Sequence, residues 1–143
     1  MTETDRHKET IRAYLRAFND HDHEALAEHL ADGVVEHGIH DDLHGEAEIL
    51  DFLDTHFETF PDYTGTTDLL LAEDDLVAVR YTVSGTHTGD YEGIEPTGNE
   101  AEWTGIAIYR LEDDQIAEIW LEEDRLGLLE QLEVVDPPAH LRI

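Results

Sequence analysis

IAEIWLEEDRLGLLEQL, Ile116 to Leu132, is the stretch whose reading decides the fold. Its first half carries β-branched and aromatic residues in the period-two alternation of a strand. Its second half sets apolar residues at helical spacing behind an aspartate, the pattern of a capped helix. Counted by twos, Ile116, Glu118, Trp120, Glu122 and Asp124 share one face of the strand; Ala117, Ile119, Leu121 and Glu123 share the other. With Trp120 turned into a core or pocket, Asp124 turns the same way at the strand's end. A carboxylate at the mouth of an apolar cavity suits general acid/base work, because desolvation raises its pKa toward the working pH. The same side chain suits the N-cap of a helix from Arg125 to Leu132. The two roles are compatible, and the local sequence leaves both open.

Upstream of this stretch lie more strands. Ala101 to Leu111 alternates, and Asp113–Asp114 makes the hairpin turn into Ile116. Trp103 and Tyr109 fall on one parity, and Arg110 falls on the other as a surface ion-pair partner first and an anion anchor second. Leu76 to Thr88 is strand-like, with Val77, Val79, Tyr81, Val83 and His87 on one face; Tyr63 to Ala72 precedes it across Glu73-Asp74-Asp75. The turn-rich segment Gly89 to Asn99 is a loop. The first half of the chain is helical. Thr4 or Asp5 caps a helix carrying Ile11, Tyr14, Leu15 and Phe18. Asp22 caps a second helix, stopped at Gly33. Val34–Val35 is a short strand, and Glu46 to Phe60 carries a stripe of Ile49, Phe52, Leu53, His56, Phe57 and Phe60. Helices first and a strand meander later is an α+β order. A strongly bent, mostly antiparallel sheet wrapped around the N-terminal helices gives a cone with an apolar pocket at its open end. One domain over residues 1–143 is expected, with its core at about 5–134 and an extended tail over 135–143 marked by Pro137–Pro138.

The 143 residues include 36 acidic and 8 basic side chains, a net charge of -28, and Lys8 is the one lysine. Such a surface is unsuited to nucleic acid or to an anionic membrane. Its self-repulsion is screened only in strong salt, which points to a halophilic source and to salt-dependent folding. There is no cysteine, hence no disulfide or thiolate chemistry. No signal-like N-terminus and no apolar run of about 20 residues is present. The expectation is a soluble, cytoplasmic protein.

Several further stretches carry a family resemblance. GTHTG (Gly85 to Gly89), GIEPTG (Gly93 to Gly98), GIAIYRLEDDQIAEIW (Gly105 to Trp120) and DRLGLLEQL (Asp124 to Leu132) resemble the SnoaL-like polyketide cyclases, as do FPDY (Phe60 to Tyr63) and LVAVRYTVSG (Leu76 to Gly85). The resemblance implies the nuclear transport factor 2-like cone, also described as a cystatin-like α+β barrel. It also implies an intramolecular aldol ring closure with neither cofactor nor metal, and it carries the family's acid/base aspartate onto Asp124. Two departures stand out. Ile119 occupies a position where many relatives have histidine, and Glu122 and Glu123 replace apolar residues. A pocket-facing Glu122 would raise the pKa of Asp124 further and make the mouth less suited to a flat aromatic polyketide.

Histidines add candidates. His37 either orients a substrate carbonyl or pairs with Asp124, or is a solvent-exposed or core histidine. His37, His40 and His44 do not make a helical i, i+4 pair with a third partner, and Gly38, Asp41 and Asp42 among them suggest a loop, so no metal is assigned. His87 either lines the cavity or bonds a loop carbonyl. Tyr14, Phe18, Phe52, Trp103 and Trp120 are candidates for cavity wall or plain core. Three functions stand: a cofactor-independent cyclase or isomerase acting on a small apolar carbonyl compound, a non-catalytic binding or dimerisation module, and a hydrolase or dehydratase using Asp124 with a histidine. Strands apolar on both parities (Ile106 and Ile108 against Trp103 and Tyr109) point to a homodimer through the outer face of the sheet.

Overall fold

The computed structural model describes residues 1–136; the expected Pro137–Pro138 tail lies outside the described residues. Four helices, α1 (Glu3–Asn19), α2 (His23–Glu28), α3 (Glu46–Thr59) and α4 (Arg125–Gln131), accompany six strands. These are β1 (Leu30–His37), β2 (Leu43–His44), β3 (Thr64–Glu73), β4 (Leu76–Thr86), β5 (Glu100–Glu112) and β6 (Gln115–Glu123). The strands form one curled sheet in the order β2-β1-β6-β5-β4-β3. Every neighbouring pair is antiparallel except β1 with β6. This is the expected α+β cone.

Local chemistry sets the elements. α1 starts one turn earlier than expected, because Thr2 accepts the Asp5 N–H while the Asp5 carboxylate accepts the Thr2 N–H. Its buried residues, His7, Ile11, Tyr14 and Ala17, lie on one stripe, and the helix packs on β3 and β4. α2 is capped by Asp22 as expected but ends at Glu28, not at Gly33. The backbone from Leu30 is taken up by pairing with Ile116, so Gly33 sits inside a strand. α3 packs on β1 and β2, and α4 packs on β5. Asp113 and Asp114 both adopt left-handed φ, 52° and 61°, as a two-residue hairpin turn requires.

The sheet's two faces differ. Val77, Val79, Val83, Ala101, Trp103, Ala107 and Tyr109 are buried against the helices. Leu69, Leu71, Ile106, Ile108 and Trp120 are exposed on the outside. One irregularity decides what faces inward on β6. Leu111 pairs with Ile116, but the next residue, Arg110, pairs with Glu118, so Ala117 is an extra residue on β6. A bulge of this kind reverses the alternation beyond it. Ile116 and Ile119 are both buried, and Trp120 is 37% exposed. The inward set past the bulge is therefore Ile119, Leu121 and Glu123. No helix among the described residues is long and apolar enough to cross a membrane.

Candidate active site

Inside the cone lies a cavity of about 150 Å³. α1 contributes Tyr14 and Phe18, α3 contributes Phe52, His56 and Thr59, and the inner sheet face contributes Glu36, Tyr81, Trp103, Tyr109 and Glu123. Tyr63, from the turn before β3, and Arg125, from the start of α4, add to the polar lining, with His40, Tyr91 and Glu92 at the loops.

Three carboxylates line this space, Glu92 at the rim and Glu36 and Glu123 within. Glu36 is 7% exposed. Its position follows from β1's alternation, which buries Val34 and Glu36 on one side. Burial, with the Glu123 charge adding to it, pushes the Glu36 carboxyl up to about 7. Glu123 is also raised by burial, but donors oppose the shift: Trp103 Nε1–H at 2.8 Å, the Tyr81 hydroxyl, and the Arg125 charge. Glu123 is thus the carboxylate held by hydrogen bonds, and Glu36 is the one whose proton is loosely held near neutral pH. Tyr81, Gly105 and Glu123 are neighbours across three strands. A Cβ at Gly105 would lie 2.4 Å from the Tyr81 hydroxyl and 2.8 Å from Glu123 Cγ, so bare backbone there makes room for the pair.

The phenols and the imidazole of the inner lining are neutral donors. Burial raises the Tyr14, Tyr63, Tyr81 and Tyr109 phenols, and the Glu36 charge acts on Tyr14 and Tyr109. Burial pulls His56 down to about 4, so its imidazole is neutral. At the rim, Arg125 Nη2 donates to the Tyr91 hydroxyl at 3.1 Å and to Glu92, and Glu92 also pairs with His40.

The expected site residues divide. Tyr14, Phe18, Phe52 and Trp103 line the cavity. Asp124 does not; it is exposed, and its carboxylate accepts the Gly127 N–H at 2.9 Å as the N-cap of α4. Glu122 is exposed too, and Trp120 stacks on His37 at 5.7 Å on the outside of the sheet. The Ala117 bulge accounts for all three. His37 lies between Asp42 (3.1 Å) and Glu118 (2.7 Å), and its pKa is raised mainly by the Glu118 hydrogen bond. β1 presents Glu36 inward and so His37 outward, and there His37 stands opposite Trp120, four residues short of Asp124. His87 is fully buried, but behind the cavity wall. It packs on Phe60 and Tyr91, and its Nδ1 accepts the Thr97 N–H at 3.2 Å. His40 turns to Glu92, and the His44 backbone N–H to Glu48, so the three histidines near β2 do not converge.

The sequence reading missed Glu36, His56, Tyr63 and Glu123 as site residues. Glu36 had a legible signal: it alternates with Val34. Glu123 had one as well, an acidic residue in place of an apolar one.

Residues 8–132 match the family model of the SnoaL-like polyketide cyclases. The chain belongs to this family. Among solved structures, it is 32% identical to IdmH from Streptomyces antibioticus, a candidate polyketide cyclase, with 90% of this chain and 99% of that one covered and a TM-score of 0.79. AclR from Streptomyces galilaeus, a candidate hydroxylase, is 25% identical over 97% of this chain and 93% of its own, with a TM-score of 0.86. TsrD from Streptomyces laurentii is 26% identical over 94% and 100%, with a TM-score of 0.84. No curated protein sequence matches the chain. Relatives with such different descriptions share the SnoaL-like cone, so the reading of this member rests on its own cavity.

Proposed function

We propose that this SnoaL-like protein is a cofactor-independent acid/base catalyst of the cyclase type. Its substrate is a small apolar carbonyl compound, its reaction an intramolecular aldol closure or related isomerisation, and Glu36 is its base. The observation that carries the reading is the carboxyl of Glu36 on the wall of an aromatic cavity, held at about 7 by burial and by Glu123. A base with a pKa near the operating pH is available in its ionised form yet retains driving force for proton abstraction. Glu36 takes a proton from a carbon next to a carbonyl. The Tyr14 and Tyr109 hydroxyls, both within the field of Glu36, are suited to stabilising the enolate oxygen. The enolate carbon attacks a second carbonyl of the same molecule, a C–C bond forms, and the resulting alkoxide takes the proton back from Glu36. Glu123 keeps the Glu36 carboxyl up and is itself held by Trp103 and Tyr81. A cavity of about 150 Å³ supports a substrate about the size of a single ring.

Acetophenone in D2O tests the base. The parent is expected to exchange the methyl protons saturably, with a rate rising as pH climbs through about 7. Glu36→Gln should lose this exchange by about 100- to 10,000-fold. Exchange at the parent rate in folded Glu36→Gln would remove Glu36 from the mechanism.

The reading extends to assembly as a homodimer. It is supported by the outer row Leu71, Ala78, Ile108 and Trp120, four mutually registered positions across β3, β4, β5 and β6.

A further inference from the structure

The cavity has a second polar locus apart from the carboxylates. His56 projects from α3 onto the cavity wall. Its ring lies in a cage of Phe52, Phe60, Tyr63 and Trp103, with centroid distances of 6.2, 5.5, 4.8 and 6.4 Å. Its surface is only partly covered, and it is enclosed deep within the protein, so the side chain faces the cavity rather than bulk water. No charged group perturbs it; burial alone keeps the imidazole neutral. A neutral imidazole offers one N–H and one lone pair. In an apolar cage a donor of this kind acts strongly on an oxygen that gains charge.

We propose that His56 is the electrophilic residue of the cavity, hydrogen-bonded to the carbonyl that the enolate attacks, so that the substrate carries two carbonyl groups. The proposal rests on the acid/base reading of Glu36 and adds the second half of the reaction to it. Glu36 and Tyr14 act where the C–H bond breaks. His56 acts where the new C–C bond forms, as the carbonyl π electrons move onto oxygen and the N–H holds the alkoxide. Arg125 is the competing donor: its Nη2 is taken by Tyr91 and Glu92, but its Nε is buried without a hydrogen-bond partner among the described residues, so closure at the parent rate in His56→Phe would point to it instead.

Heptane-2,6-dione separates the two steps. Its α-protons report on Glu36, and its closure to 3-hydroxy-3-methylcyclohexanone reports on His56. In His56→Phe, exchange should stay within a few-fold of the parent while closure falls by roughly 100-fold or more. His56→Gln keeps a donor and should restore closure to within about tenfold of the parent; it carries the test if the phenylalanine variant does not fold. Glu36→Gln should lose both steps, so failure of the base and failure of the electrophile give different patterns. Equal loss of exchange and closure in folded His56→Phe would make the residue a structural filler and overturn the proposal. Closure at the parent rate in that variant would overturn it too, as would a parent that exchanges the protons without closing the ring.

Discussion

The inner and outer faces of the sheet hold the same residue types and treat them in opposite ways. Outside, Glu118 lies between His37 and Arg110, and those hydrogen bonds lower its pKa. Asp68 is lowered in the same way by Thr82 and Arg80. Inside, Glu36 has no cationic partner beside it, and burial with a second carboxylate raises it to about 7. What raises a carboxylate here is removal of water without provision of a cation. The outer pairs keep part of their surface in water and contribute little to stability. The inner carboxylate works against the fold, the cost expected of the base proposed above.

The largest effect that sharpens this contrast is on stability against pH. The folded pKa of Glu36, about 7, exceeds its ordinary value of 4.5. The native state therefore binds more protons between these values, and the contribution of Glu36 is present below 4.5 and lost as pH rises through 7. Glu36→Gln removes that loss. Relative to the parent it should gain stability progressively from pH 4.5 and level off above 7 at roughly 3 kcal/mol, from 1.36 kcal/mol per pKa unit. Denaturant melts at pH 4.5, 6 and 8 measure it, and a difference independent of pH would break the comparison. His56 has the opposite sign: its pKa of about 4 lies below 6.5, so its contribution is present above 6.5 and lost as pH falls through 4.

The outer face supplies the next effect. Trp120 lies in the exposed apolar row proposed as the dimer contact. Trp120→Glu should leave the cavity and the melting temperature of the protomer nearly unchanged. It should weaken association by about 2 kcal/mol or more, the scale of a tryptophan hot spot. Light scattering at micromolar protein in molar salt, where repulsion among carboxylates is screened, should show a dimer for the parent and a monomer for the variant. A monomeric parent would leave the outer face without its proposed partner.

The smallest effect concerns Asp124, just past the end of β6. Asp124→Ala removes a helix cap and should cost about 1 kcal/mol, while Asp124→Asn should be close to neutral. Both should keep the proton exchange of the parent. Loss of exchange in the asparagine variant, with stability intact, would return Asp124 to the chemistry.

Local sequence was enough for much of this protein. Helical spacing found α1 and α3, alternation found β4 and β5, and Asp22 and Asp124 announced the helices they cap. Motifs from Phe60 to Leu132 carried the family, and with it the cone. Tyr14, Phe18, Phe52 and Trp103 were legible as wall because each repeats an element's own period. The expected facing of β6 was reversed at one residue. Ala117 bulges because two strands pair with unequal spacing, and that pairing belongs to Arg110 and Leu111 as much as to β6. Everything past it changed face, so Trp120 and Asp124 went out and Glu123 came in. Only the tertiary structure decided which carboxylate has its pKa raised to about 7. Burial beside Tyr14 and Tyr109 and the charge of Glu123 raise Glu36, groups brought to it from α1, β5 and β6, and no pattern along a single strand contains them.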